Sequence, residues 1–174
     1  MWGRDYRPMA DHARKAPYVM LALALIGIAD TFYDSYAIYS GQLLWCPPPI
    51  DGCNIVAESP YGRVVGVPLG YFGLIYYLYM FGLVALLALD PFSRGLRLGA
   101  LLYAATGVSF SIYFMFVQFA FIHAICIYCL ISAVLTLLFL VTALWHFRAT
   151  RMDPISVAKM MKPVDLGQSV TAGV

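Results

Sequence analysis

The sequence predicts an all-α membrane protein, a bundle of four transmembrane helices, and three observations carry that reading. Hydrophobic residues fill 62% of the 174 positions and charged residues only 11%, whereas a soluble domain carries about a quarter charged. Mean hydropathy is +0.79. Four apolar runs, Tyr18–Tyr39, Val67–Leu89, Leu98–Ile122 and Ile127–Phe147, each reach the roughly 20 residues that a hydrocarbon core about 30 Å thick demands of a helix. They are continuous and rich in Leu, Ala and Phe, without the alternation of polarity that marks the strands of a barrel.

The first run follows a basic stretch, Arg4, Arg7, Arg14 and Lys15. It is too long for the apolar region of a signal peptide, and Asp30, Asp34 and several tyrosines stand where a small-residue cleavage site belongs. It is therefore predicted to stay attached. The second run opens at Pro68, read as part of the first helical turn, where a missing N–H does no harm. Arg94 and Arg97 precede the third run; His123 to Cys126 make a short turn without Lys or Arg; Arg148, Arg151, Lys159 and Lys162 follow the fourth. Basic residues near span ends are retained on the cytoplasmic side, so both termini and the second connection are predicted to be cytoplasmic. The first connection, whose one basic residue is Arg63, and the turn before Cys126 are predicted to face outward. This divides the chain into a cytoplasmic segment 1–17, a four-helix domain 18–147 with an outer loop 40–66, and a partly disordered cytoplasmic tail 148–174. A net charge of +2 is accounted for by these topology signals and implies no nucleic-acid partner.

All four cysteines then fall on the outer side. Cys46 and Cys53 bracket Pro47-Pro48-Pro49-Ile50-Asp51-Gly52 in the loop; Cys126 and Cys129 form Cys-Ile-Tyr-Cys at the outer start of the fourth run. In an oxidising compartment such pairs form disulfides. Free N–H groups and the positive end of the helix dipole favour a thiolate at a helix start, the nucleophile of thiol–disulfide exchange. Cys129, one turn inside, lies at hydrocarbon depth, where a lipid-soluble oxidant such as a quinone arrives and a water-soluble protein does not. The stiff loop pair suits the opposite task, presenting Cys46 to an aqueous thiol partner while Cys53 reaches Cys126. Electrons would pass from a substrate dithiol to Cys46/Cys53, to Cys126/Cys129, and to the quinone. Two other readings remain. The pairs are structural staples in a non-catalytic membrane subunit, although a Cys-x-x-Cys bridge closes too small a loop to constrain an unfolded chain much; or the four form a zinc site, for which Cys-x6-Cys is loose spacing. The expected metal content is none.

The chain also resembles the vitamin K epoxide reductase family, in its bacterial and archaeal branch. The residues that carry the likeness are Cys46, Cys53-Asn54-Ile55-Val56, Ser59-Pro60-Tyr61-Gly62, Val67-Pro68-Leu69-Gly70-Tyr71-Phe72-Gly73 and Cys126-Ile127-Tyr128-Cys129. The resemblance implies a four-helix bundle around a quinone of the ubiquinone or menaquinone type, with the outer loop capping the site. It implies that Cys129 contacts the quinone, that Cys126 pairs transiently with Cys53, and that Cys46–Cys53 is the shuttle. Ser59 matches the family's loop serine, a hydrogen-bond donor near the quinone, though a turn before Pro60 explains it equally well. Vertebrate enzymes carry Asn and Tyr where Leu69 and Ala133 stand here, so vitamin K epoxide is the alternative substrate and ordinary quinone the expected one. The implied enzyme is a quinone-dependent thiol–disulfide oxidoreductase of a bacterial or archaeal cytoplasmic membrane, oxidising a separate thioredoxin-fold protein.

Three further features have double readings. Asp30 and Asp34, spaced i,i+4, share a face of the first run, and a carboxylate at the bilayer centre costs roughly 2.5–3.5 kcal/mol on insertion scales; they either relay protons to a reduced quinone or reach interfacial water or a tyrosine hydroxyl. His123 either supports the Cys126 thiolate or caps a turn. Trp2, Tyr39, Trp45, Tyr61 and Trp145 read as headgroup-level anchors.

Overall fold

A computed structural model describes residues 6–48, 52–91 and 93–151; the tail beyond Arg151, Trp2 and the loop tip Pro49–Asp51 lie outside them. Helix α1 runs Tyr6–Ser40, α3 Leu69–Leu89, α4 Arg94–Val117 and α5 Ile127–Arg151, with a short helix α2, Cys53–Glu58, in the outer loop. Four segments, Lys15–Ser40, Leu69–Leu89, Arg94–Ile122 and Ile127–Ala149, are long and apolar enough to cross a membrane. The chain is an integral membrane protein.

Helix α1 packs between α3 and α5, and α4 closes the bundle against both. Small residues permit the approach. A side chain at Gly73 would lie 2.8 Å from Thr31 Cγ2, and the flat face of Tyr77 occupies the space over Gly27. Met20, Ala24, Tyr77, Met80, Val84, Ala100, Ala104 and Phe139 form the buried core. Leu25, Ile26, Phe32, Ile75, Leu102, Phe116 and Val141 turn outward, a distribution that suits lipid, whose tails are as apolar as the side chains facing them. Tyr39, Trp45, Tyr61 and Trp145 are exposed.

Several boundaries differ from the sequence-based ones: α4 starts at Arg94 rather than Leu98, and α5 runs to Arg151 rather than Phe147. Helix α1 begins inside the segment expected to precede the membrane and continues through Pro17. The second spanning helix starts at Leu69 rather than Val67, because Val67 and Pro68 (β2) pair with Val64 and Arg63 (β1) as a hairpin. Its turn residues Val65 and Gly66 have φ of 53° and 82°, left-handed values that glycine accepts freely and a β-branched residue does not. Pro68 thus immediately precedes the helix. Before the hairpin, Pro60–Gly62 make one 3₁₀ turn, so the outer loop is a folded flap of helix, turn and hairpin.

Candidate functional site

The flap is held to the bundle by few, well-placed bonds. Asn54, in the first turn of α2, accepts from the Leu44 N–H (2.8 Å) and donates to the Leu44 carbonyl (3.2 Å). Each such bond contributes about 1 kcal/mol net; together they clamp the chain entering Cys46 to the chain leaving Cys53. Cys46 and Cys53 are joined by a disulfide, with Cα atoms 6.3 Å apart. From the bundle side, the Tyr128 hydroxyl donates to the Trp45 carbonyl at 2.6 Å, and the Tyr33 hydroxyl accepts from the Trp45 N–H at 3.4 Å.

Gly52 closes the gap between the two cysteine pairs. A side chain there would meet Ile125 O at 2.7 Å and Ile125 N at 2.8 Å, backbone atoms that cannot swing aside. Leu44, Cys53, Val56 and Cys126 consequently form one buried cluster, with Cys46 and Cys129 packed on it. Cys53 is 0% and Cys126 3% exposed. Gly52→Ala is expected to lift α2 off this contact and, in a Cys46→Ala background, to lower the yield of the Cys53–Cys126 disulfide severalfold under mild oxidation, read by mass spectrometry. An unchanged yield would show that the glycine does not set the approach.

Below the flap, α4 widens into a π-helical turn, Gln118–Ile122, which ends at His123 in the left-handed conformation (φ 54°). Such widened turns recur at functional sites. The reversal carries Cys126 back over Gln118, whose side-chain Oε1 accepts the Cys126 N–H at 2.9 Å. Cys126 immediately precedes α5, and the Leu130 N–H donates to its carbonyl at 3.1 Å. Cys126 and Cys129 are free thiols. Hydrogen bonding from the Cys129 thiol, aided by backbone N–H groups of the first helical turn, holds the Cys126 thiol below its ordinary pKa against the opposing effect of burial, the condition for a ready nucleophile.

A cavity of about 370 Å³ opens beneath these sulfurs between α1, α3, α4 and α5. Cys53, Cys126 and Cys129 share its outer wall; Phe72, Tyr76, Phe110 and Phe114 give it aromatic sides; Asp30 and Asp34 enter from α1. Neither Lys, Arg nor His lines it among the described residues. Its size and character are those of a small-molecule site: apolar and aromatic walls with a few polar groups. Tyr77 steadies the floor, its hydroxyl 2.8 Å from Ser132 Oγ.

The residues singled out from the sequence divide accordingly. Cys53, Cys126, Cys129, Asp30 and Asp34 meet at the cavity, and Cys46 lies one disulfide bond away. Ser59 is placed in the flap: its hydroxyl donates to the Val56 carbonyl at 2.7 Å and accepts the Gly62 N–H at 3.1 Å, and Val56 and Gly62, not Ser59, face the cavity. His123 is exposed in its turn and lines no wall. Of the two positions that differ from vertebrate enzymes, Leu69 lines the cavity and Ala133 does not. No group of three or more His, Cys, Asp or Glu that would hold a metal ion occurs among the described residues. Sequence reasoning missed Gln118, fully buried beside the Cys-x-x-Cys turn. The available signal was a lone carboxamide within an apolar run, which needs a partner or a task.

Comparison with known proteins agrees with this arrangement. A model described as Vitamin K epoxide reductase family matches residues 18–144, most of the chain and all four cysteines. No curated protein matches the chain.

Proposed function

The chain belongs to the vitamin K epoxide reductase family, a family of membrane oxidoreductases, and on that premise we propose that it makes disulfides outside the cytoplasm at the expense of a membrane quinone. The observation that carries the reading is the single outer wall on which Cys53, Cys126 and Cys129 meet above an apolar, aromatic cavity. The substrate is a reduced thioredoxin-fold protein, a separate polypeptide. Cys46 and Cys53 face the aqueous compartment and both termini lie in the cytoplasm, an orientation that the distribution of Lys and Arg supports; the resemblance to the bacterial and archaeal branch supports a cytoplasmic membrane.

The chemistry follows the order of burial. A substrate thiolate attacks Cys46; the Cys46–Cys53 bond breaks and its electron pair leaves on Cys53. The second substrate thiol resolves the mixed disulfide, so substrate is oxidised and the loop pair reduced. Cys53 then attacks Cys126 in an oxidised Cys126–Cys129 bond, and the electron pair leaves on Cys129. Cys46 resolves the Cys53–Cys126 bond, which restores the loop disulfide and leaves Cys126 and Cys129 reduced. A quinone in the cavity supplies an acceptor for two electrons and two protons, of the ubiquinone or menaquinone type. Phe72, Tyr76, Phe110 and Phe114 would hold its ring, and Cys129 would stand against it. Ser59 contributes through the turn it builds, keeping Val56 and Gly62 over the ring.

Two thiols give up two protons with the electrons, and Asp30 and Asp34 are the carboxyl groups placed in the cavity to carry them. Combining Asp30→Asn with Asp34→Asn is expected to lower quinone reduction about tenfold, within the span ascribed to a positioned proton-transfer group, and to flatten its pH profile. Turnover and profile both equal to those of the parent would remove the aspartates from the mechanism. The function itself is tested with purified protein in lipid: quinone absorbance should fall only when a reduced thioredoxin-fold protein is supplied. Consumption independent of any dithiol, or none with it, would overturn the reading.

A further inference from the structure

Gln118 is fully buried yet is bonded at one end only. The Cys126 backbone N–H is a donor, so the atom that meets it at 2.9 Å must be the amide oxygen, and this fixes the direction of the whole carboxamide. The other end, Nε2, has no hydrogen-bond partner among the described residues. A buried N–H left unbonded costs roughly 1–3 kcal/mol. Such a cost is tolerable where the missing acceptor appears during turnover. The amide oxygen is fixed on the N–H of Cys126, and Cys129, three residues on, packs on the same buried cluster as Cys126, so its sulfur is the candidate acceptor on this side. A neutral thiol is a poor acceptor, whereas a thiolate is a strong one.

We propose that Gln118 Nε2 is the hydrogen-bond donor to the Cys129 thiolate, made for the moment at which the Cys126–Cys129 bond opens and its electron pair settles on Cys129. The proposal rests on the relay above for the event that creates this thiolate. In that step Cys53 Sγ forms a bond to Cys126 Sγ, the Cys126–Cys129 bond breaks, and the charge carried in by Cys53 leaves on Cys129; no atom or electron is gained or lost. Gln118 spans the transfer. Its oxygen holds Cys126, the atom under attack, through the backbone, and its nitrogen receives the charge that departs. The π-helical turn that begins at Gln118 and the left-handed His123 that ends it bring Cys126 back onto a side chain eight residues upstream.

The test measures Cys129 alone. In a Cys126→Ala background Cys129 is the one free thiol beside the Cys46–Cys53 disulfide, and the backbone N–H of position 126 is retained. The rate of its alkylation by iodoacetamide is followed from acid to alkaline pH by mass spectrometry, which also verifies that the loop disulfide is intact. Adding Gln118→Leu is expected to slow alkylation about tenfold at a given pH, the effect of losing one hydrogen bond to a charged group. Gln118→Glu keeps the acceptor for residue 126, donates while protonated and repels a thiolate once ionised. It should therefore match the parent in acid and fall progressively behind as pH rises, a profile that a merely structural role does not produce. Should Gln118→Leu fail to insert, Gln118→Glu decides by itself, since it exchanges only the amide nitrogen for oxygen. Parent-like profiles in the glutamate variant at every pH would overturn the proposal. Alkylation needs neither quinone nor protein partner, so it decides the role of Gln118 even where the parent chain reduces no quinone, an outcome that would sink the relay alone.

Discussion

Cys129→Ala is expected to reduce quinone turnover to background, a loss of roughly a thousandfold or more, the scale on which removal of a reacting nucleophile is felt. Cys129 is the inner of the two free thiols and lines the cavity from the first turn of α5. Of the four cysteines it alone lies within a segment long and apolar enough to cross a membrane, Ile127–Ala149, so no other thiol of the chain is placed to replace it. The loss should be equal with a protein substrate and with a small dithiol, because both enter upstream. The measurement is quinone absorbance in proteoliposomes with each reductant. Appreciable turnover with either would exclude Cys129 as the exit for electrons.

Cys53→Ala separates the two halves of the relay. Oxidation of a thioredoxin-fold substrate is expected to fall by two orders of magnitude or more, on the same reasoning about lost nucleophiles, while a small dithiol continues to drive quinone reduction. The difference follows from packing. Cys126 is almost fully buried beneath Cys53 and Val56, so a folded partner cannot place its thiolate there. Removing the Cys53 sulfur leaves a gap that admits a small reductant directly to Cys126. Cys46→Ala should behave alike with the protein substrate, and it should accumulate the Cys53–Cys126 disulfide because no second loop thiol resolves it. Equal loss with both reductants in Cys53→Ala would mean that the loop pair supports the fold and not the transfer.

The spanning helices were legible in the sequence because membrane length is a strong, local physical requirement, and the gathering of Cys53, Cys126 and Cys129 at one cavity was foreshadowed by the spacing of the cysteines at span ends. The flap was not. Six residues of α2, Cys53–Glu58, are too few for a periodicity to show between Gly52 and Ser59-Pro60. The hairpin escaped because Val65 occupies a left-handed turn position where sequence rules expect Asn, Asp or Gly; Val65 is 98% exposed, so nothing in its own contacts compensates that choice. The role of Ser59 in its turn follows from the Gly62 N–H it accepts, a contact that pattern alone could not choose over the cavity. Gln118 stayed hidden for another reason. Spans are read by counting charges, and an uncharged amide between Phe114-Met115-Phe116-Val117 and Phe119-Ala120-Phe121 does not interrupt the count, although its two unlike ends make it the most informative polar side chain of the segment Arg94–Ile122.

The stacking of Gly52 on the Ile125 backbone has a consequence for selectivity in the cell. With the loop disulfide closed, Cys126 is sealed off while Cys129 stays open to the cavity, so the sulfur that receives the shuttle's attack is guarded against stray water-borne reagents. The same seal keeps small reducing metabolites from draining an oxidised inner pair through Cys126. Such an enzyme is insulated against short circuits on its wet side, and the current it carries is metered by whichever protein can first unlock Cys46.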